Sequence, residues 1–525
     1  MKNPRNSVAL PFVAMLFGVA ASPGAQAADR CAALKSFSLP GMAIEITKAE
    51  MVPAGPLSLP SMGGPPQKID LPARCLVEGT VDRRTDGQGK SYGIGFAVAL
   101  PDDWNGRFLM QGGGGLDGLL FPPLGPTAAG DKPALMRGFA VATTDSGHQS
   151  KGPFDGSFFA DQQATLDFEY ASIGTVTRIA KRMIGDYYAK PAAHSYFTGC
   201  SMGGREAMVA AQRYPLQFDG AISGAPAMHV GFSGIGDRWV AATLASVAPK
   251  GADGKPQMSK IFSDSDRNLV VSSLLKVCDA ADGLKDGMIF NLAGCKFDPA
   301  TLVCKGAKMD GCLTSDQAAA IKKALAGPKD SAGRQVYPGF YYDTGLTAAA
   351  MPPGLLNPQD NPMGPPVFAT RIDVDAEATQ AAADPAAAIG DTANWTNMSS
   401  FFGHGGKLLF FHGVSDPWFS AEDTVGYYER MAQANGGMDE VRDASSRLFL
   451  VPGMSHCAGG SATLDQFDLL TPLVDWVENG KAPESVIATG KDFPGRSRPL
   501  CAYPKHAHYK GRGNPQDARN FECRN

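Results

Sequence analysis

Short apolar runs of strand type recur along the first half of the chain, and each ends in a turn rich in Gly or Asp. These runs cover residues 94–100, 107–110, 139–143, 195–198 and 220–223. Between the third and fourth runs, residues 160–188 place Leu166, Ile173 and Ile179 at helix-like spacing. Strands that alternate with helices are typical of a parallel sheet with helices on both faces.

This rhythm stops after residue 227 and resumes near residue 407. The intervening segment is rich in Pro, Gly and Ala and holds four of the ten cysteines. Two apolar, β-prone runs at 407–412 and 447–451 then restore the pattern. We therefore predict one α/β sheet domain, built from residues 28–227 and 396–525, with an inserted domain at 228–395.

Residues 1–27 have the organisation of a secretory signal peptide. Two basic residues precede an apolar run at 8–21, and Ala25 and Ala27 place small side chains where signal peptidase reads the chain. The apolar run is too short to span a bilayer comfortably, so we expect cleavage after Ala27 and no membrane attachment afterwards. An even count of ten cysteines also favours an oxidising compartment. A secreted or periplasmic location is predicted.

Charge and composition argue against several classes of partner. The 525 residues include 48 Lys and Arg against 52 Asp and Glu, which gives a formal net charge of −4. No acidic or basic block stands out, and 44% of the residues are hydrophobic. This composition is typical of a globular protein, and we expect no nucleic-acid partner.

Ser201 stands between Gly199 and Gly203 in a Gly-x-Ser-x-Gly motif, after an apolar strand and before an Ala-rich helical segment. A nucleophile elbow holds its serine in a strained backbone conformation, and only small neighbours let the strand and helix approach closely enough. The alternative is a structural glycine turn, but both flanking elements are readable here. We therefore predict a nucleophilic serine in an α/β-hydrolase sheet domain.

A serine hydroxyl is a poor nucleophile at neutral pH, so it needs a histidine base and a carboxylate that orients the histidine. Asp416 follows the run 407–412, and His456 follows the run 447–451. Open α/β sheets place their sites at the carboxyl ends of strands, where both residues are expected. Asp423 is the rival acid. No other of the eight histidines follows the acid in a comparable loop.

An acyl-transfer site also needs N–H donors for the oxyanion. The backbone N–H of Met202, directly after the nucleophile, is the usual first donor. Four consecutive glycines at 112–115 follow a predicted buried strand and can bring a second N–H close to the substrate. A flexible loop is the alternative. Gly113 and Gly114 are the candidates for the second donor.

Cysteines adjoin both predicted catalytic groups: Cys200 precedes Ser201, and Cys457 follows His456. If the triad assembles, the two sulfurs must come close. This arrangement resembles the tannase and feruloyl esterase family. Shared motifs lie at residues 112–115, 144–148, 199–205, 218–220, 405–409, 412–417 and 452–457. The resemblance implies an α/β-hydrolase fold with a lid and a small aromatic ester as substrate.

A second shared motif lies at residues 278–288, inside the insertion. Its three closely spaced carboxylates and two glycines could surround a hard cation, although a solvated acidic turn is the alternative. The resemblance implies structural calcium, bound by side chains of Asp279, Asp282 and Asp286 and by main-chain oxygens of Leu284 and Met288. No organic cofactor is expected.

The sequence alone leaves the disulfide connectivity open. Proximity favours the pairs Cys278–Cys295 and Cys304–Cys312. The resemblance adds the pairs Cys31–Cys75, Cys200–Cys457 and Cys501–Cys523.

These features predict a serine carboxylic ester hydrolase that cleaves galloyl or hydroxycinnamoyl esters through an acyl-enzyme. Alternatives are hydrolysis of mono(2-hydroxyethyl) terephthalate-like monoesters, a peptidase of the same fold, and a non-catalytic binding relative. Met202 replaces the polar or acidic residue that some relatives carry, which argues against a terephthalate pocket. Substrate-wall candidates, which could equally be core residues, are Phe340, Tyr341, Tyr342, Phe368, Arg371, Trp395 and Trp418.

Overall fold

The computed structural model of the protein describes residue 1 and residues 23–61, 64–349, 351–360 and 370–525. The apolar run of the predicted signal peptide lies outside these residues. The first described helix, Pro23–Ala33, runs through the predicted cleavage position after Ala27, so cleavage remains a prediction. Within the described ranges, no helix is long and apolar enough to cross a membrane.

The described strands are β1 (Ile44–Val52), β2 (Gly55–Ser61), β3 (Gly64–Leu71), β4 (Arg74–Thr85), β5 (Ser91–Pro101), β6 (Arg107–Gln111), β7 (Ala140–Thr144), β8 (His194–Cys200), β9 (Gly220–Gly224), β10 (Lys407–Gly413), β11 (Ser446–Val451), β12 (Gln466–Phe467), β13 (Ser485–Thr489), β14 (Arg498–Cys501), β15 (His506–Tyr509) and β16 (Phe521–Arg524). The described α-helices are α1 (Pro23–Ala33), α2 (Gln162–Leu166), α3 (Ser172–Tyr188), α4 (Met202–Arg213), α5 (Val230–Ala245), α6 (Asp264–Cys278), α7 (Ser315–Leu325), α8 (Val374–Ala383), α9 (Pro385–Ile389), α10 (Ser399–Gly403), α11 (Ala421–Ala434), α12 (Met438–Ala444) and α13 (Leu470–Asn479).

The main sheet has nine strands in the order β1-β4-β5-β7-β6-β8-β9-β10-β11. All of the predicted apolar runs form strands of this sheet. From β7 to β11 the neighbours pair in parallel, which confirms the parallel sheet for this part. The carboxyl ends of these strands therefore lie along one edge.

At the other edge of the sheet the prediction of parallel strands is wrong, because β1, β4 and β5 pair antiparallel with their neighbours. A tight turn joins β4 to β5, closed by the bond from Asp86 N–H to the Lys90 carbonyl at 2.9 Å. Consecutive strands joined by so short a turn must run antiparallel. An apolar run indicates a buried strand but carries no information on the direction of that strand, so the apolar pattern does not predict the antiparallel pairing at this edge.

The sheet is buried on both faces by alternate side chains. In β10, Leu408 and Phe410 belong to the apolar cluster that includes α3, α4 and α11. Leu409 and Phe411 belong to the opposite cluster, which includes α13 and the C-terminal strands. Continuous apolar runs are required in strands that are covered on both sides.

The predicted helix at 160–188 is a single helical rod with an irregular middle. Asp161 caps its first turn by accepting from Ala164 N–H at 2.7 Å. A π-helical turn at Asp167–Ala171 joins α2 to α3. This π-helical turn directs the Glu169 side chain into the interior, where it pairs with Arg205 of α4.

Between β9 and β10, the described chain forms α5 to α10 and contributes no strand to the main sheet. Part of this segment has its own apolar cluster, which includes Val240, Leu274, Ile321 and Leu325. The boundaries of the inserted domain, at residues 228 and 395, remain a prediction. After β11 the chain adds two small antiparallel sheets, β12-β13-β14 and β15-β16, that the apolar pattern did not indicate.

Five disulfides connect the described chain: Cys31–Cys75, Cys200–Cys457, Cys278–Cys295, Cys304–Cys312 and Cys501–Cys523. These are the pairs named from the sequence. Four of them join residues at most 44 positions apart, whereas Cys200 and Cys457 are separated by 257 positions.

Candidate active site

Ser201 occupies a sharp turn between β8 and α4. Its backbone angles, φ 65° and ψ −124°, lie in a region that non-glycine residues rarely adopt. A Cβ atom on Gly199 would lie 2.2 Å from the Gly203 carbonyl oxygen, and one on Gly203 would lie 2.6 Å from the Gly113 carbonyl oxygen. Because both positions exclude any side chain, the strand, the helix and the glycine loop pack directly on one another.

The turns after β10 and β11 bring the predicted acid and base together. The Asp416 carboxylate accepts a hydrogen bond at 2.7 Å from Nδ1 of His456 through Oδ2. Its other oxygen accepts from the backbone N–H groups of Trp418 and Phe419 at 2.9 and 3.1 Å. Asp416 is 1% exposed and His456 is 9% exposed, so this ion-dipole contact is shielded from water.

Two opposing effects set the pKa of Asp416. Burial alone raises the pKa of a carboxyl group, but His456 and a second imidazole, His412, hold the pKa of Asp416 well below its ordinary value. Asp416 is therefore ionised throughout the neutral range and can orient and stabilise the His456 imidazolium.

His412 is a site residue that the sequence prediction assigned no role. Its Nε2 lies 3.3 Å from Asp416 Oδ2, and its Nδ1 lies 2.8 Å from the Thr424 hydroxyl. The spacing of four residues between His412 and Asp416 in one strand-turn segment was the available signal. The rival acid, Asp423, instead contacts His229 Nδ1 at 3.2 Å.

The disulfide Cys200–Cys457 links the two loops that carry Ser201 and His456. Its Cα atoms are 6.0 Å apart, and each cysteine is the sequence neighbour of one predicted catalytic residue. Among the described residues, the buried Nε2 atom of His456 has no hydrogen-bond partner. Ser201 is half-buried in the other of these two loops, and within the described ranges its hydroxyl makes no hydrogen bond to this nitrogen.

The four-glycine loop follows β6 and packs against the first turn of α4. Gly113 N–H donates to Glu206 Oε2 at 2.8 Å, so it is not free to bind an oxyanion, which corrects one of the two candidates. Gly112 N–H donates to the Thr198 carbonyl at 2.9 Å. Gly114 N–H makes no hydrogen bond to another described residue, and a Cβ there would meet nothing within 4 Å. Gly114 and Met202, the first residue of α4, remain the candidate donors.

The model of the tannase and feruloyl esterase family matches residues 75–363 and 366–524. The chain belongs to this family. It is 38% identical to mono(2-hydroxyethyl) terephthalate hydrolase of Piscinibacter sakaiensis, over 86% of this chain and 85% of that protein. It is 30% identical to a probable feruloyl esterase of Arthroderma benhamiae, over 97% and 96% of the two chains. The crystal structure of feruloyl esterase B from Aspergillus oryzae aligns with a TM-score of 0.76 at 26% identity, covering 95% of this chain and 100% of that one.

Aromatic side chains form one wall beside the candidate triad of this family member. Trp418 and Phe419 pack against His456, with ring centroids 4.7 and 5.3 Å away. Phe154 makes an edge contact with Trp418 at 6.1 Å and is 43% exposed. This wall is apolar and aromatic. Phe154 is not among the wall candidates that the sequence indicates.

The other wall candidates lie elsewhere. Phe340, Tyr341 and Tyr342 line a cleft of about 780 Å³, and Ser201, Asp416 and His456 are not among its lining residues. Trp395 is 44% exposed beneath the Arg213 guanidinium, and Arg371 is exposed. Phe368 lies outside the described residues.

The predicted calcium loop offers the carboxylate oxygens that calcium prefers, and these oxygens contact groups of the chain itself. Asp279 accepts from Asp286 N–H and Gly287 N–H at 3.1 and 3.0 Å, and the Asp286 carboxylate pairs with Arg498. Burial, with a smaller effect from its acidic neighbours, raises the pKa of Asp282 to about 7. No group of three acidic, His or Cys side chains in the described ranges is placed to hold a metal ion. Calcium binding stays a prediction.

Replacing Asp416 by Asn should lower kcat for a 4-nitrophenyl ester by about 10³- to 10⁴-fold, because an amide neither fixes the His456 tautomer nor stabilises its imidazolium. Asp423→Asn is the matched control, since its carboxylate contacts His229 instead, and we expect it to stay within about threefold of wild type. Equal losses in the two variants would show that Asp416 is not the triad acid.

Replacing both Cys200 and Cys457 by Ser should lower kcat by about tenfold or more, because the elbow and the histidine loop lose their covalent link. The matched control is the Cys304→Ser, Cys312→Ser double variant, which removes a bond inside the insertion. Far-UV circular dichroism checks that both variants keep their secondary structure. If the two double variants are equally active, the link does not serve the site.

Proposed function

We propose that this protein is a serine carboxylic ester hydrolase that cleaves esters of aromatic acids through an acyl-enzyme. The observation that carries the proposal is the buried His456–Asp416 pair at 2.7 Å, tied by the adjoining disulfide to the strained Ser201 elbow. Membership of the tannase and feruloyl esterase family supports the same reaction.

In the acylation step, Ser201 Oγ attacks the ester carbonyl while His456 Nε2 takes the hydroxyl proton. The N–H groups of Met202 and Gly114 stabilise the negative charge on the carbonyl oxygen of the tetrahedral intermediate. His456 then protonates the leaving alcohol, and the acyl group remains on Ser201. A water molecule, deprotonated by His456, attacks the acyl-enzyme and releases the acid.

The acyl group is an aromatic one, galloyl or hydroxycinnamoyl in type. Trp418, Phe419 and Phe154 offer ring faces and edges beside the reacting centre, and aromatic pairs of this kind favour a flat aromatic acyl group. A second candidate substrate is a mono(2-hydroxyethyl) terephthalate-like monoester, which the 38% identity to that hydrolase favours. Against it stands the uncharged Met202 after the nucleophile.

We also propose export. Five disulfides stabilise the described chain and form readily only in an oxidising compartment. Together with the predicted signal peptide, they support a secreted or periplasmic esterase.

Hydrolysis of methyl gallate, methyl ferulate, chlorogenate and mono(2-hydroxyethyl) terephthalate should distinguish the acyl groups, with a 4-nitroanilide as the amide substrate. We expect kcat/KM to be highest for a gallate or hydroxycinnamate ester, and Ser201→Ala to lose about 10⁴-fold or more. A fluorophosphonate should label wild type stoichiometrically and the alanine variant not at all. Folded wild-type protein that is neither labelled nor active would support a non-catalytic binding role instead.

We propose that the loop of Asp279, Asp282 and Asp286 binds calcium through these carboxylates, with the main-chain oxygens of Leu284 and Met288 completing the shell. The role is structural, so EDTA should lower Tm by a few degrees and added calcium should restore it. Asp282→Asn should abolish this response, whereas the exposed Asp310→Asn should keep it. A Tm that EDTA and calcium leave unchanged would refute the site.

A further inference from the structure

A buried pair of carboxyl groups lies behind the glycine loop of the candidate oxyanion site. Glu206, in α4, accepts from Gly113 N–H at 2.8 Å through Oε2. Its other oxygen, Oε1, lies 3.0 Å from Ser146 Oγ, and the same hydroxyl is hydrogen-bonded to Asp117 Oδ2. Asp117 and Glu206 are each 1% exposed. A continuous chain of contacts therefore runs from Asp117 to the glycine loop.

Asp117 holds the same loop by two further contacts. Its backbone N–H donates to the Gly114 carbonyl at 3.1 Å. Its carboxyl group packs beneath Gly113, where an added Cβ would lie 2.7 Å from Asp117 Oδ2. Gly113 is thus fixed by Glu206 on one side and by Asp117 on another. Because the Gly113 carbonyl carbon is bonded to Gly114 N, fixing Gly113 also fixes the N–H of Gly114.

The hydrogen bonds of Ser146 require a proton on one of the two carboxyl groups. A serine hydroxyl has one hydrogen, so it can donate to Asp117 or to Glu206 but not to both at full strength. If it donates to one, the contact with the other is a hydrogen bond only when that carboxyl group is protonated. Two adjacent buried carboxylates without a shared proton would repel each other strongly.

The charged groups around the pair do not neutralise it. Arg205 in α4 directs its guanidinium to the Glu169 carboxylate and main-chain oxygen. Asp145, after β7, accepts from Gly95 N–H and Gly147 N–H at 2.8 and 3.0 Å, and burial raises its pKa to about 7. The remaining neighbour, His148, is held neutral by burial, which lowers its pKa to about 4. No cation in the described ranges forms an ion pair with Asp117 or Glu206.

We propose that Asp117 and Glu206 share one proton through Ser146 and act as the positioning pair that holds Gly114 N–H in the oxyanion site. The proposal rests on the proposed esterase function. Burial, reinforced by the charge of Glu206, raises the pKa of Asp117 well above its ordinary value, although Ser146 and Arg205 act in the opposite direction.

The consequence is a loss of activity at alkaline pH. While the pair holds its proton, it carries one negative charge and the loop stays in place. As the pH rises through the raised pKa of Asp117, the proton leaves, two anions face Ser146, and their repulsion displaces the loop. Because an oxyanion donor acts mainly in the transition state, kcat should fall and KM should change little.

The test compares pH profiles of kcat and KM for wild type, Asp117→Asn and Glu206→Gln on the best ester substrate. The side-chain amides introduced by these two substitutions do not lose a proton at alkaline pH, so each variant should lack the alkaline decrease in kcat. At neutral pH, kcat should be lowered by less than about tenfold. Asp145→Asn is the matched control, because it removes a neighbouring buried carboxyl group that does not contact Gly113. It should keep the wild-type alkaline decrease.

Glu206→Leu tests the positioning role, since it removes the acceptor for Gly113 N–H. We expect kcat to fall by about 10- to 100-fold at every pH, with KM within about threefold of wild type. Thermal unfolding checks that this variant folds; if it does not, the pH profile of Glu206→Gln decides the question.

An alkaline decrease that persists in Asp117→Asn and Glu206→Gln would overturn the shared proton. An unchanged kcat in folded Glu206→Leu would overturn the positioning role. Both outcomes differ from failure of the esterase function itself, in which wild type would already be inactive and unlabelled by a fluorophosphonate.

Discussion

The parallel hydrogen bonding of β6, β8, β9, β10 and β11 is the constraint on which the site depends. It places the carboxyl ends of four of these strands at one edge, although the strands are spread from residue 107 to residue 451 of the chain. The glycine loop follows β6, Ser201 follows β8, Asp416 follows β10 and His456 follows β11. Asp416 and His456 lie within a few residues of the strands that precede them, so the strands set their positions.

Near this edge, the pKa values of two buried aspartates of equal intrinsic acidity are shifted in opposite directions. Asp416 is buried but accepts hydrogen bonds from His456 and two backbone N–H groups and lies beside His412, so the anion is favoured. Asp117 is equally buried, but its nearest charged partner is another carboxyl group, so the neutral acid is favoured. Burial is common to both, and the hydrogen-bonding partners decide the outcome. Asp416 is thereby held as an anion beside His456, whereas the proposed proton-sharing pair lies beneath the glycine loop.

The sequence predicts features that depend on residues close together in the chain, and it does not predict features that depend on contacts between distant segments. The strands, the Ser201 elbow and the positions of Asp416 and His456 are encoded locally, in apolar runs and the turns that follow them. The antiparallel edge depends on connection length, and the contact of Gly113 with Glu206 depends on two segments 93 residues apart, so neither appears in a local pattern. The same holds for the aromatic wall. Phe154 meets Trp418 only after folding, whereas Phe340, Tyr341 and Tyr342 line a different cleft although their composition suggested a substrate site.

The disulfide Cys200–Cys457 has a consequence for how the protein matures. Between its two cysteines lie the four that form Cys278–Cys295 and Cys304–Cys312, whose partners are separated by 17 and 8 positions. A chain that oxidised its cysteines in the order in which they occur in the sequence would join Cys200 to Cys278. The native pattern instead requires Cys200 to remain reduced, or to exchange partners, until Cys457 is available. The covalent link between the Ser201 elbow and the His456 loop therefore cannot form before the chain has been made as far as Cys457.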